Sequence, residues 1–190
     1  MLNIVLFGPP GAGKGTQSEK IIQKHSLQHI STGNLFRKHI GEETELGTLA
    51  KSYMDAGNLV PDEVVIGMVE DKITESLSSN GFIFDGFPRT VNQAEALDKM
   101  LEKHGLSISG MIALEVPEEE LKKRIKERAK TSGRVDDQDD AKIDNRIAVY
   151  KKETSPVADY YKAQNKFSSV NGVGTIEEIY EKIEESIRAF

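Results

Sequence analysis

The chain has 190 residues and a mass of 21.1 kDa, enough for one hydrophobic core with small appended segments but not for two ordinary domains. Its net charge of −6 argues against a general nucleic-acid-binding surface, and the absence of cysteine excludes disulfides and Cys-based zinc sites. No apolar run approaches membrane-spanning length, so we expect one cytoplasmic domain with neither a nucleic-acid nor a membrane partner.

Short apolar runs alternate with amphipathic segments along the chain. The pattern predicts strands at 2–7, 28–31, 81–87, 110–117 and 167–170. It predicts helices at 14–25, 91–103, 118–130 and 139–165, helical segments from the second strand to about 79, and a last helix from about 175. Strands separated by helices favour parallel pairing through right-handed crossovers. We therefore expect a three-layer α/β fold around a central parallel five-stranded sheet.

The first predicted strand runs directly into a glycine-rich loop, GPPGAGKGT at residues 8–16, which we call the phosphate loop. The spacing of Gly8, Gly13 and Lys14 matches the pattern in which backbone N–H groups and a lysine hold the phosphates of a nucleotide. An ordinary glycine-rich turn between a strand and a helix is the alternative. The residues that we expect to bind the triphosphate are Gly11, Ala12, Gly13, Lys14, Gly15 and Thr16.

The loop departs from the usual pattern at its last position. Gly15 stands where Ser or Thr would bind Mg²⁺, and the hydroxyl comes one residue later, at Thr16. We therefore expect Mg²⁺ to be held mostly by nucleotide phosphates and water, with no direct protein ligand.

The segment FIFDGFPRT at 82–90 places a carboxylate and an arginine after a buried strand. Asp85 lies at the carboxyl end of that strand, the edge where open α/β sheets bind ligands, and it can orient a water of the Mg²⁺ shell. The alternative is that Asp85 only caps the turn with Gly86. Arg89 follows a glycine and a proline, so its backbone is restricted, which favours a bidentate grip on phosphate.

Five segments together resemble the adenylate kinases in their order and spacing. They are GPPGAGKGTQ, ISTGNLFR, MDAGNLVPDE, FIFDGFPRTVNQA and SGRVDD, and the resemblance covers essentially the whole chain, 1–190, as a single domain. It implies a phosphate-loop core, a monophosphate-binding segment at about 31–60 and a lid at about 129–140. The implied reaction is MgATP + AMP ⇌ 2 ADP, performed by a monomer.

The resemblance also implies which residues contact AMP, the acceptor. Taken alone, Ser31 or Thr32 could be a helix cap and Arg37 a solvated helix residue. By resemblance, the AMP-binding residues are Thr32, Arg37, Asn58, Val60, Gly86, Arg89, Gln93, Arg134 and Arg146. Gln93 is expected to recognise the base, because one carboxamide can hydrogen-bond both the amino donor and the ring-nitrogen acceptor of adenine.

The lid region carries the remaining arginines. Arg124 and Arg128 are four residues apart and so share one helical face, although a charged surface helix would show the same spacing. The resemblance places Arg124 near the ATP adenine, and Arg128, Arg134 and Arg146 around the transferred phosphates. It also places backbone near Gly174 beside that adenine, where an ordinary turn before the last helix is the alternative. Only about ten residues separate Ala129 from Asp140, so we expect a short lid without zinc.

Phosphoryl transfer to AMP requires positioning and charge neutralisation more than covalent chemistry, because the attacking phosphate oxygen is already anionic. The expected catalytic residues are Lys14, Arg89, Arg128, Arg134 and Arg146. A UMP/CMP kinase is the nearest alternative, and a nucleotide hydrolase or a non-catalytic nucleotide sensor belongs to a different class.

Overall fold

A computed structural model describes residues 1–190 and contains one parallel sheet of five strands. The strands are β1 (Leu2–Phe7), β2 (Gln28–Ser31), β3 (Gly81–Asp85), β4 (Gly110–Glu115) and β5 (Phe167–Asn171). The helices are α1 (Lys14–His25), α2 (Thr32–Gly41), α3 (Glu45–Asp55), α4 (Asp62–Glu75), α5 (Val91–Glu102), α6 (Glu118–Ser132), α7 (Asp140–Val149), α8 (Pro156–Lys162) and α9 (Ile176–Arg188). A 3₁₀ turn spans Val135–Asp137 and a π-helical turn spans Tyr150–Thr154. The predicted α/β class and five-stranded sheet are confirmed.

The sheet is buried on both faces, which explains the nearly continuous apolar runs of its central strands. Along β1, Ile4 and Leu6 pack into one core cluster while Val5 and Phe7 pack into the other. Successive strand residues point to opposite faces, so each central strand contributes to both layers of helices. None of the helices combines the length and the apolar character needed to cross a membrane.

The strand order β2-β3-β1-β4-β5 places the functional segments at one edge. Strand β1 lies between β3 and β4, and all three strands are parallel. After β1 the chain first adds β2 and β3 on one side of it and then β4 and β5 on the other. Such a reversal opens a crevice at the carboxyl ends of the strands, where ligands of open α/β sheets bind. The loops that follow Phe7 and Asp85 both leave the sheet at this crevice.

Several predicted boundaries were wrong in extent. Strand β3 ends at Asp85 because Gly86 turns the chain with φ 76°, and β4 ends at Glu115, before Pro117. Helix α6 continues to Ser132, beyond its predicted end at 130, and so extends into the predicted lid at about 129–140.

The predicted long helix at 139–165 is divided into three parts. Helix α7 ends at Val149, a wider π-helical turn follows, and α8 ends at Lys162. The cause is Pro156, which has no N–H to donate within a helix and therefore begins α8 as its first residue. The N–H of Ser155 instead bonds the carbonyl of Tyr150 at 2.8 Å, which widens the turn.

Candidate active site

The phosphate loop joins β1 to α1 through three glycines in backbone conformations that other residues rarely adopt. The φ angles of Gly8, Gly11 and Gly13 are 147°, 83° and 95°. No side chain caps the N-terminus of α1, and its first turn contains no acidic residue. The first N–H groups of α1 therefore have no side-chain acceptor and are available to an anion.

Lys14 folds back over the loop that precedes it. Its Nζ donates to the carbonyl oxygens of Gly8 at 2.8 Å and Pro9 at 3.1 Å. Burial, together with Arg89, Arg146 and Arg128, lowers the pKa of Lys14 to about 8, although Asp85 acts in the opposite direction. The positive charge of Lys14 is thus held close to other positive charges.

Asp85 lies at the end of β3, near the side chains of Lys14 and His29. Burial would raise its pKa, but His29 and Lys14 hold the pKa of this carboxyl below its ordinary value. The distance from His29 Nε2 to Asp85 Oδ2 is 3.8 Å, an ion-pair contact beyond hydrogen-bond length. Asp85 makes no hydrogen bond to the following turn, so its alternative role as a turn cap is not observed. The structure groups no three acidic or histidine side chains as a metal site.

A pocket lies between α2, α3, α4, the turn after β3 and the start of α5. Six of the predicted AMP-binding residues line it: Thr32, Asn58, Val60, Gly86, Arg89 and Gln93. Sequence reasoning missed its apolar wall, which consists of Phe36, Met54, Leu59 and Val65. Flat apolar walls with few polar groups are typical of a site for an aromatic base.

The carbonyl of Gly86 organises one end of this pocket. It accepts hydrogen bonds from Thr32 Oγ1 and Arg89 Nε, each at 2.8 Å. A Cβ atom on Gly86 would lie 3.0 Å from both Thr32 Oγ1 and Arg89 Nη2, so no larger residue fits without displacing them. Ser31, not Thr32, caps α2, which excludes the cap as the role of the Thr32 hydroxyl. The two terminal nitrogens of Arg89 have no protein partner and are free to bind phosphate.

Gln93 is buried in the opposite wall, and both ends of its carboxamide are hydrogen-bonded. Its Nε2 donates to Asp62 Oδ1 at 2.8 Å, and its Oε1 accepts from the backbone N–H of Arg89 at 2.7 Å. The amide nitrogen keeps one unused hydrogen and the oxygen one unused lone pair.

Two lid-region arginines converge on one buried carboxylate. Arg128 grips Asp137 with two hydrogen bonds, of 2.7 and 2.8 Å, and Arg146 donates to the same carboxylate at 2.7 Å. Arg146 also lies 3.1 Å from Asp136 Oδ2. Although burial acts to raise it, these arginines hold the pKa of Asp137 below its ordinary value. Asp137 therefore positions both guanidinium groups.

Arg37 and Arg134 are partly buried and have fewer protein partners than Arg128 and Arg146. Burial and the neighbouring Arg134 lower the pKa of Arg37 to about 10, and burial and Arg128 lower the pKa of Arg134. Arg37 bonds Asn34 Oδ1 at 2.7 Å, whereas the Arg134 guanidinium has no hydrogen bond or ion pair. Arg37 is partly buried, which argues against the solvated-residue alternative.

Arg124 lies on the other side of the phosphate loop. Its Nε contacts Glu120 Oε1 at 2.9 Å and its Nη2 donates to Gly172 O at 3.0 Å. This contact brings the loop after β5, which contains Gly174, next to Arg124. The adenine-binding roles of Arg124 and Gly174 remain predictions.

The structure adds three residues that the sequence did not single out. Asp62 bonds Gln93, Asp137 bonds two arginines, and Asn145 Nδ2 donates to Ala56 O at 2.8 Å. Asp62 and Asp137 had a sequence signal, because they belong to the MDAGNLVPDE and SGRVDD segments, whereas Asn145 had none.

Comparison with known proteins points to one family. The family model described as adenylate kinase matches residues 6–166. A protein of Flavobacterium psychrophilum named adenylate kinase is 54% identical over 187 residues, which is 98% of each chain. Its namesake in Bacteroides fragilis is 51% identical over 96% of each chain, and that of Porphyromonas gingivalis is 48% identical over 94% of this chain and 92% of its own.

The lowered pKa of Lys14 generates a prediction about pH. Because this lysine carries a charge only below about pH 8 in the free protein, we expect ATP affinity to fall as pH rises from 7.5 to 9.5. Titration calorimetry at fixed ionic strength would measure the change. In a Lys14→Arg variant the guanidinium stays protonated, so residual binding should not vary over this range. ATP affinity unchanged at pH 9.5 in the wild type would contradict the assignment.

Proposed function

The chain belongs to the adenylate kinase family and is a phosphotransferase that converts ATP and AMP reversibly into two ADP, and on this premise we propose how its residues perform the transfer. No observation favours a UMP/CMP kinase, a hydrolase or a sensor. The observation that carries the proposal is the convergence of Lys14, Arg89, Arg128 and Arg146 on one crevice, where they influence one another electrostatically.

The donor side is the phosphate loop and the N-terminus of α1. We assign the ATP phosphates to the backbone of residues 11–16, because α1 offers uncapped N–H groups and Lys14 can exchange its loop carbonyls for phosphate oxygens. Arg124, fixed by Glu120 and the Gly172 carbonyl, and the loop at Gly174 are assigned to the adenine of ATP.

The acceptor side is the pocket lined by Thr32, Gly86 and Gln93, which we call the acceptor pocket. Its apolar wall suits the adenine ring of AMP, and Gln93 supplies the unused donor and acceptor of its amide to the base. At the other end, Arg89 with two free terminal nitrogens and Arg37 are assigned to the AMP phosphate. The polar groups at the two ends of the pocket thus correspond to the two polar ends of AMP.

The chemical step needs no protein base. An anionic oxygen of the AMP phosphate attacks the γ-phosphorus of ATP, a new P–O bond forms, and the bond to the β-phosphate oxygen breaks to release ADP. Arg128, Arg134 and Arg146, with Lys14 and Arg89, surround the transferred group and stabilise its negative charge. Because Asp137 already orients two of these arginines, little reorganisation accompanies the reaction.

The residues present fit Mg²⁺ bound with ATP. Asp85 is a partly buried carboxylate without a hydrogen bond at the ligand-binding edge, and it could hold a water of the metal shell. When bound, Mg²⁺ neutralises charge on the β- and γ-phosphate oxygens. No cysteine or histidine lies between residues 129 and 140, so we propose no role for zinc.

We propose a monomer as the active unit, as the resemblance to the adenylate kinases implies. A cytoplasmic location agrees with ATP and AMP as the substrates.

The proposed charges at the transfer site can be tested by removing them one at a time. We expect Lys14→Met and Arg89→Ala each to cost about 3–4 kcal/mol of barrier, a loss of roughly a hundredfold or more in turnover. A coupled assay of ADP formation measures the rate, and circular dichroism checks the fold. Lys123→Met, an exposed lysine without an ion pair, is the matched control and should keep wild-type turnover. Near-wild-type turnover of either folded site variant would refute the proposal.

Metal dependence provides a second test. Activity should vanish with EDTA and return on addition of Mg²⁺ alone. The reason is that the expected metal is Mg²⁺ bound to the nucleotide phosphates, and we expect no second metal held by protein ligands. Elemental analysis of the purified protein should find no stoichiometric zinc. One tightly bound zinc per chain would contradict the assignment of the lid.

A further inference from the structure

Asp62 is the centre of a hydrogen-bond network behind the base end of the acceptor pocket. It is the first residue of α4 and accepts from three side chains near the start of α5. Thr90 Oγ1 lies 3.2 and 3.1 Å from its two oxygens, Asn92 Nδ2 donates to Oδ2 at 2.9 Å, and Gln93 Nε2 donates to Oδ1 at 2.8 Å.

This network fixes which way the Gln93 amide faces. A carboxylate only accepts hydrogen bonds and a backbone N–H only donates, so Asp62 requires the amide nitrogen and the Arg89 N–H requires the amide oxygen. A flipped amide would bring two acceptors together at Asp62 and two donors together at Arg89. Since Gln93 is 1% exposed, water could not relieve either clash.

The orientation of the amide matters because purines differ in their edges. Adenine presents an amino donor beside a ring-nitrogen acceptor, whereas 6-oxopurines present a carbonyl acceptor beside a ring N–H donor. In the orientation that Asp62 imposes, the Gln93 amide can hydrogen-bond both groups of the adenine edge. Only the flipped amide could hydrogen-bond both groups of a 6-oxopurine edge. Without Asp62, the Gln93 carboxamide could adopt either orientation and so bind either class of purine.

We propose that Asp62 is a positioning residue that makes the acceptor pocket select 6-aminopurine over 6-oxopurine monophosphates, by holding the Gln93 amide in one orientation. The inference rests on the proposed role of Gln93 as the base reader. Asp62 itself does not line the acceptor pocket, so it acts through Gln93.

AMP and IMP are the acceptors that test this, because IMP carries the 6-oxo pattern without the bulky 2-amino group of GMP. The quantity to measure is the ratio of kcat/KM for AMP to kcat/KM for IMP, with the KM for ATP recorded alongside. We expect Asp62→Ala to lower the ratio roughly tenfold or more, the size of one lost discriminating contact. The KM for ATP should stay within about twofold, since the donor site is untouched.

Two further variants separate positioning from general damage. Asp62→Asn keeps the size of the side chain and can turn either a donor or an acceptor to Gln93, so its ratio should fall between those of the wild type and Asp62→Ala. Asn92→Ala removes another hydrogen bond of Asp62 without touching Gln93, so its ratio should remain at the wild-type value. A fall in the Asn92→Ala ratio equal to that of Asp62→Ala would overturn the inference.

A double-mutant cycle distinguishes this inference from the role of Gln93 itself. Gln93→Leu should lower the ratio, and adding Asp62→Ala to it should change the ratio no further. If Gln93→Leu leaves the ratio unchanged, the base-reading role in the proposed function fails. If Gln93→Leu lowers it but both folded Asp62 variants keep the wild-type ratio, only the inference about Asp62 fails.

Discussion

The main constraint on the structure is the repulsion among positive charges that it holds close together in one crevice. Lys14, Arg37, Arg89 and Arg134 have lowered pKa values, with burial as the main cause and neighbouring cations adding to it in each case. Asp137 offsets part of this repulsion by binding two further arginines, but a chain of net charge −6 still concentrates cations in one crevice. Without a ligand such an arrangement opposes folding, and in the function we propose the bound phosphates turn it into a source of affinity and rate.

The fold makes this concentration possible. The parallel strands are buried on both faces, so the hydrophobic core lies away from the crevice and offsets the cost of the charged site. The reversal of strand order at β1 brings the phosphate loop, the turn after β3 and the lid-region helices to one edge. Backbone carbonyls and carboxylates then fix side chains that would otherwise be mobile: Gly86 holds Arg89, and Asp137 holds Arg128 and Arg146.

Much of the fold and of the phosphate loop could be predicted from the sequence, because their signals are local. Gly8, Gly13 and Lys14 have a spacing that favours a strand-to-helix phosphate loop, and alternating apolar runs indicate the parallel sheet. The break at Tyr150–Thr154 was missed, because an amphipathic pattern continues across Pro156. The network around Asp62 could not have been predicted, since its contact with Gln93 joins residues 31 positions apart through the packing of α4 on α5. The apolar wall of the pocket likewise comes from helices whose contacts are set by tertiary structure.

Arg134 is the residue that best tests whether the site is arranged for its ligand at the expense of the ligand-free protein, because its guanidinium has no protein partner. The measurement is the unfolding temperature of Arg134→Met and of the wild type, each without nucleotide and with saturating MgATP plus AMP, with Lys123→Met as the control for an exposed charge. We predict that Arg134→Met unfolds at the same or a higher temperature than the wild type without nucleotide, but gains clearly less from the nucleotides. A variant that is less stable than the wild type without nucleotide, yet gains as much from the nucleotides, would contradict the account.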